Sequence, residues 1–304
     1  MMYWIQRLRS PFVRSILGDY VFIAPQLILY VGLTLVPLII ALPMLFTDRL
    51  DFNDIDVDYI GFQNITRVFI DPSISTDYVP ALVRTVRFTV INYLMVYVFG
   101  LTLALVIYEV GFRGGFFTVI YLPMMISGVA VGYIATMLFS KSTGTVNLLL
   151  LDLGWIKEPI DIRLESGSTI ILPIIIGWKY AGFNLAIFLS GLLSIPEETI
   201  EASIVDGAAY LQRLLRVYFP QMAPAFIIAT IFCLLGSFGV FDEPMAMGAF
   251  NTNPGLRFLS VVFYAYGFTQ QRLALGMTLA VQTFVPLVVL AYLLQQLQKR
   301  LAYY

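Results

Sequence analysis

The sequence predicts an all-α, polytopic membrane protein with six transmembrane helices and a polar helical hairpin between the fourth and the fifth. Three observations carry that expectation. Hydrophobic residues make up 59% of the 304 residues and charged ones 12%, giving a mean hydropathy of +0.85, far from the composition of a water-soluble domain. Six nearly uncharged runs, about Val21 to Phe46, Phe88 to Tyr108, Phe116 to Ser140, Thr169 to Leu193, Ala223 to Val240 and Leu273 to Leu294, each approach the roughly 20 residues that cross a hydrocarbon core. Between the fourth and fifth runs, Ser194 to Pro224 is charged and carries its own helix signals. Lipid offers no partner to an open backbone group, so every run is expected to be helical.

Taken in order, residues 1–19 hold Arg7, Arg9 and Arg14 among Trp4 and Phe12, a pattern suited to the anionic face of a membrane. The apolar run that follows is too long for a cleaved signal and lacks a small-x-small exit site, so it reads as a retained first span. Pro25, Pro37, Pro43 and Pro123 predict kinks, because each removes a backbone donor. The first outer loop, Asp48 to Tyr78, is rich in aspartate; Asp54-x-Asp56-x-Asp58 lacks the glycine turn and terminal glutamate of a calcium loop and reads as a solvated face. Gly128 and Gly132 form a small-xxx-small pair expected to pack against another helix. Cys233 reads as a small buried hydrophobe.

Charge gives the orientation. Arg7, Arg9, Arg14, Arg113, Arg213, Arg216, Lys299 and Arg300 on one side barely differ in number from Arg49, Arg67, Arg84, Arg87, Lys141, Lys157, Arg163, Arg257 and Arg272 on the other. The first set sits in shorter segments and opens the chain, which places the N-terminus, the hairpin and the C-terminus inside.

Within the hairpin, Ser194 and Glu197 are spaced as a capping box with Pro196 in the first turn. The helix is expected to run through Glu201 to Val205 and break at Asp206-Gly207. Asp206 would cap a second helix continuing through Leu211, Leu214, Leu215 and Tyr218 until Pro220 stops it. Ala202, Gly207 and Ala208 leave room for another backbone to approach.

Glu201-Ala202-x-x-x-Asp206-Gly207-Ala208, followed by Leu214, Val217, Phe219-Pro220 and Pro224, is similar to the EAA motif of permease subunits in binding-protein-dependent ABC importers. Ser203, Leu214, Val217 and Phe219 depart from the usual residues without changing polarity enough to remove a docking role. Gly144-x-x-Asn147-x-x-Leu150 and Asn251-Thr252-Asn253-Pro254, the latter where relatives carry a Gly-Gly-Pro turn, extend the resemblance over most of residues 80–300 and toward the carbohydrate-uptake, maltose-transporter-like, type I branch. The resemblance implies a cytoplasmic segment 1–19, a first helix with its acidic outer loop 20–82, and a permease domain 83–300 containing the hairpin 194–224. It implies a second permease, against which the Gly128 and Gly132 face could pack, two ATP-binding subunits seated on the hairpins, and an extracytoplasmic solute-binding protein. It also implies a bacterial or archaeal cell (inner) membrane location. Glu201, Ala202, Asp206, Gly207 and Ala208 would couple to the ATPase, and ATP and Mg would be held by that partner, with no cofactor on this chain.

The remaining chemistry is sparse. The chain has no His and one Cys, which excludes His-dependent triads, Cys/His zinc sites and an internal disulfide. No Gly-Lys pair exists to form a phosphate-binding Walker A loop, and no acid falls mid-run to serve as a proton or sodium relay. Lys179 is the one charge deep in a run, and burying it costs about 2.5–3.5 kcal/mol, so it is expected to face a cavity or a partner. Trp178, Lys179, Tyr180, Phe183 and Asn184, with Ser237, Phe238 and Asp242 near the end of the fifth run, are therefore the candidate lining of a substrate path. For Trp178 and Tyr180, interfacial anchoring is the alternative; for Lys179, snorkelling. Three functions remain open beside a sugar permease: a permease for a sugar phosphate, polyol or other small polar solute, a polytopic membrane enzyme, and a stand-alone facilitator.

Overall fold

The computed structural model describes residues 11–301 apart from 52, 55, 56, 112, 251 and 252. Trp4, Arg7 and Arg9, Asp56 and the Asn251-Thr252 pair lie outside the described residues. The described chain is helical, with one isolated antiparallel bridge between Thr47 and Tyr59. Four helical stretches are long and apolar enough to cross a membrane: Tyr20–Phe46, Pro72–Val110, Ala223–Ala246 and Leu273–Arg300. Two bent pairs, Gly115–Met125 with Gly128–Leu138 at 89° and Glu165–Lys179 with Ala181–Leu193 at 60°, bring the number to as many as six if each pair crosses once.

The elements are named as follows. Helix α1, Pro11–Tyr30, continues through a π turn at Val31–Leu35, where Pro37 follows, and a 3-10 turn at Leu42–Phe46 that contains Pro43. Pro43 lies in the 3-10 turn and Pro37 just after the π turn, whereas Pro25 lies inside regular helix without the expected break. The flank of the first span is open, and the chain docks mainly through the 3-10 turn, where buried Leu45 sits and Asn64 donates to the Leu45 and Thr47 carbonyls at 3.1 and 2.8 Å.

Helix α2 covers Gln63–Ile70, and α3 covers Pro72–Met95 and runs on through a π turn to Val110. The second span thus starts at Pro72, with the Asp71 carboxylate accepting from the Ser73 N–H, and the acidic loop is shorter than the charge pattern implies. Arg84 and Arg87 hide this extension in the sequence. They remain in the helix because Glu165 meets both, at 3.5 and 3.2 Å, and the Arg257 carbonyl accepts from Arg84 at 2.7 Å.

Next come α4 (Arg113–Tyr121) and α5 (Gly128–Leu138). A 3-10 turn containing Pro123 follows α4, and Ser127 then caps α5 by accepting from the Ala130 N–H. The chain changes direction there because a proline and a new N-cap fall four residues apart. Helix α6, Thr145–Asp152, sits in the second loop. Its Asn147 is fully buried, donates to the carbonyls of Phe139, Ser140 and Ile160, and accepts from the Ile160 N–H at 2.9 Å.

Helices α7 (Glu165–Lys179) and α8 (Ala181–Leu193) form the second bent span, where the sequence predicts one unbroken helix. Tyr180 takes φ −96°, ψ 10°, and its carbonyl accepts from both the backbone and the side chain of Asn184. The hairpin is α9 (Glu197–Val205) and α10 (Tyr210–Arg213), the latter continuing through a π turn at Leu214–Tyr218 to Gln221. Helix α11 is Ala223–Phe238, α12 Asp242–Ala246, α13 Leu259–Tyr264 and α14 Leu273–Leu301.

Three apolar clusters hold these elements. Phe188, Leu185, Leu192, Tyr218 and Met222 tie α8 to the hairpin and α11. Phe88, Leu172, Ile176, Leu256 and Phe258 join α3, α7 and the loop before α13. Val68, Tyr78, Leu259, Val262 and Leu279 join α2, α3, α13 and α14 at the end remote from the hairpin.

Two predictions follow from the second loop. Asn147→Leu leaves the Ile160 N–H and three carbonyls without their partner, and should cost about 3 kcal/mol, seen as a lower unfolding midpoint of the detergent-solubilised protein. The Asp161 carboxyl is raised by burial but lowered more by the Arg163 backbone and side chain and by Lys141, and lies below the usual carboxylate range. A depressed folded value means that its stabilisation is full above pH ~4 and fades as pH falls further. Asp161→Asn should therefore narrow the stability gap between pH 7 and pH 3.

Candidate functional site

Two places bring functional side chains together: the hairpin surface and a cavity among the broken spans. At the hairpin, α9 starts at Glu197 with Pro196 at the N-cap, where no side chain caps it. Ser194 does not form the expected capping box; its hydroxyl donates to the Gly191 carbonyl and closes α8. Asp206 ends α9 and does not cap α10, whose first residue follows Ala209. There Gln212 reaches back to accept from the Ala209 N–H at 3.0 Å, so the cap is served by the third helical residue. Pro220 does not stop the chain; it lies just past the π turn, where its missing donor falls in already irregular winding, and the break comes at Met222.

Gly207 makes the bend. Its φ of +76° is open to glycine at little cost, and nothing surrounds the position of a Cβ, so the requirement is conformational rather than steric. Glu201, Ala202, Asp206 and Gly207 are exposed and Ala208 half-buried. Beside them, Val205 is 86% and Leu211 63% exposed, with Ile204, Tyr210 and Leu215 adding apolar area. An apolar face of this kind on a polar, bent insert marks a surface built for contact.

The cavity, about 430 Å³, lies where α3, α7, α8, α11 and α12 meet. From the sequence-predicted path it gathers Lys179, Tyr180, Phe183, Asn184 and Asp242. Trp178 is turned outward and 45% exposed; Ser237 is buried behind the wall, and Phe238 packs on the cluster around Leu279.

Lys179 Nζ donates to Glu243 Oε1 at 2.9 Å, with both side chains almost wholly buried. Glu243 lies near the end of the fifth candidate span rather than mid-run, and Arg84, also buried, shows that Lys179 is not alone. The pairing needs α12 to press against α5. Gly132 allows it: a Cβ there would come 2.6 Å from the Glu243 carbonyl oxygen. The small-residue face of α5 therefore packs within the chain rather than on a companion.

Asn92 and Phe232 also line the cavity, as do Cys233 and Phe241. Asn92 donates to Ser237 Oγ at 2.9 Å and lies 3.7 Å from Cys233 Sγ. A lone amide within an apolar run was the signal for Asn92. The need of a buried ammonium for a carboxylate was the signal for Glu243. Phe183 and Phe232 meet edge to face at 5.2 Å, forming an aromatic side to the chamber. Chemically the chamber offers aromatic faces, amides and a closed ion pair; no cluster of metal-binding side chains exists among the described residues.

Comparison with known proteins adds to this geometry. The family model described as binding-protein-dependent transport system inner membrane component matches residues 96–302. The chain is 28% identical over 287 residues, 93% of its length and 94% of the relative's, to the probable starch degradation products transport system permease protein AmyD of Thermoanaerobacterium thermosulfurigenes. It is 27% identical over 283 residues, 91% and 86% of the two lengths, to the arabinooligosaccharides transport system permease protein AraP of Halalkalibacterium halodurans. Its fold matches a chain of a bacterial ABC transporter involved in the import of the acidic polysaccharide alginate, with a TM-score of 0.77 and 23% identity over 96% of this chain and 99% of that one.

Removing one partner of the buried pair should be far worse than removing both. Glu243→Ala strands the Lys179 ammonium and should cost about 3–5 kcal/mol, whereas Lys179→Met combined with Glu243→Leu should lie within about 2 kcal/mol of the parent. Unfolding midpoints of the three proteins in one detergent decide it.

Proposed function

The chain belongs to the family of binding-protein-dependent transport system inner membrane components, and from that premise we propose that it is one of two permease subunits of an ATP-driven ABC importer for a sugar or oligosaccharide. The saccharide cargoes in the names of the relatives support the substrate class. The observation that carries the mechanism is the hairpin: a rigid, glycine-bent element whose exposed apolar face has nothing to cover it within the described chain. A chain without a nucleotide loop needs its energy from a neighbour, and this face is where an ATPase subunit would sit.

In this reading the hairpin and both termini are cytoplasmic, residues 1–19 lie on the inner face, 20–82 form the first helix with its outer loop, and 83–300 form the permease domain. ATP and Mg are held by the two ATP-binding subunits, and this chain hydrolyses nothing itself. Glu201 makes a polar contact with the ATPase, Asp206 and Gly207 hold the bend, and Ala202 and Ala208 permit close approach. Closure of the ATPases moves the hairpins as levers. Tyr218 and Met222 pack with Leu185, Phe188 and Leu192, so a displacement of the hairpin is passed to α8 and α11, which border the cavity. An extracytoplasmic binding protein delivers solute to the far end, and the spans rock to expose the chamber to each side in turn.

Gly207→Val forces a β-branched residue into a left-handed conformation at a cost of about 1–2 kcal/mol, confined to the hairpin. In cells containing the whole importer, the variant should reach the membrane at normal abundance, lose at least tenfold in sugar uptake, and no longer co-purify with the ATP-binding subunits. Normal uptake with normal co-purification would refute the lever.

A further inference from the structure

Resting on the reading of the cavity as the path, we infer that the chamber selects a neutral, hydroxyl-bearing ligand over an anionic one, and that Asn92 accepts a hydrogen bond from it. Three features lead to this.

The first is charge. Lysine is the ordinary hook for a carboxylate or phosphate, but the one ammonium in the chamber is already spent on Glu243 at 2.9 Å. The carboxylate of Asp242, which has no ion-pair partner within 4.0 Å among the described residues, also lines the chamber, so two acids face one base. An anionic ligand entering this space meets a net negative lining and gains no free cation in return.

The second feature is an orphaned acceptor. The Asn92 side chain is buried, and its Nδ2 is used by Ser237 and Cys233, yet its Oδ1 has no hydrogen-bond partner. A buried polar atom left unpaired is costly, and this one belongs to a residue on the cavity wall. Oδ1 itself has no exposed surface, so a ligand reaches it when the Asn92 side chain turns toward the chamber, and the group that then pairs with it must donate, as a hydroxyl does and a carboxylate does not. The third feature is the aromatic side formed by Phe183 and Phe232 together with Tyr180 and Phe241, suited to the apolar face of a sugar ring. Hydroxyl donors, apolar ring faces and zero charge describe an unmodified carbohydrate rather than a sugar phosphate or a uronic acid.

The single cysteine gives a direct readout, because Cys233 lies in the same wall. The assembled importer, without its binding protein, is treated with a small methanethiosulfonate reagent in the presence of maltotriose or a uronic acid trisaccharide, and modification of Cys233 is followed by mass spectrometry of this chain. Maltotriose should slow modification at least threefold, while the acidic trisaccharide at equal concentration should not. Equal protection by both would overturn the charge rule while leaving the cavity as the path. Protection by neither, in an importer that still takes up sugar with its binding protein, would remove the ligand from this cavity; no uptake of any saccharide would defeat the carbohydrate reading itself.

Two variants test the residues. Asn92→Leu should weaken protection by maltotriose roughly three- to tenfold, the worth of one neutral hydrogen bond, and unchanged protection would refute its role. Glu243→Gln frees Lys179 and should let the acidic trisaccharide protect; continued exclusion would refute the account based on the spent ammonium. The wild-type comparison requires no variant and decides the charge rule even where a variant fails to assemble.

Discussion

A buried ammonium beside lipid must find a carboxylate, and much of the geometry around the chamber follows from how Lys179 finds Glu243. Lys179 is the last residue of α7 and Glu243 the second of α12, so two chain breaks, at Tyr180 and at Gly239 to Phe241, flank the pair. A continuous fourth span and a straight exit from the fifth would carry the two charges along separate helices. Breaking both lets the ends converge, and the turned ends enclose the chamber. The third span takes part through Gly128 and Gly132, whose missing side chains admit α12. The pair earns little net energy against an apolar equivalent. Its effect is registration, since once one charge is buried the position of the other is no longer free.

A second polar group does similar work nearer the loops. Glu165 receives Arg84 and Arg87, the Arg257 carbonyl accepts from Arg84, and the Arg257 guanidinium reaches Asp77 at 2.7 Å. These contacts join α3, α7 and the segment before α13, the elements that the cluster around Phe88 and Phe258 also joins. At the hairpin end no ion pair occurs among the described residues, and cohesion comes from aromatic and aliphatic packing around Phe188 and Met222. Directional bonds hold the loop end in register; non-directional packing holds the hairpin end.

The parts legible from sequence are those set by strong local physics. Long apolar runs announced the spans, Pro37, Pro43 and Pro123 announced irregular winding, and Asp206-Gly207 announced a bend that Gly207 makes with a positive φ. The parts that escaped are set by partners distant in sequence. Arg84 and Arg87 concealed the start of the second span, because their charges are answered by residues some eighty and more positions away. The break at Tyr180 has no proline or serine cap to signal it, and Glu243 looked like part of a loop until its helix was seen against α5. Capping was misjudged for a related reason: Ser194 had a nearer carbonyl to serve, and Gln212 took over a task that Asp206 was expected to perform.

The division between engine and path also explains why the chamber can afford so quiet a chemistry. A transporter that draws energy from an ion gradient needs a side chain whose charge changes during the cycle, and such a group must be reachable and unpaired in one state. Here the two buried charges neutralise one another, and the remaining polar lining consists mainly of amides, with Asp242 beside it. Nothing in that set has to change its protonation for the spans to rock. In the proposed mechanism the switching element lies instead on the surface, at a bend one glycine wide, and its motion would reach the chamber through the packed side chains of α8 and α11. Separating the moving contact from the lining leaves the lining constrained only by what it must admit.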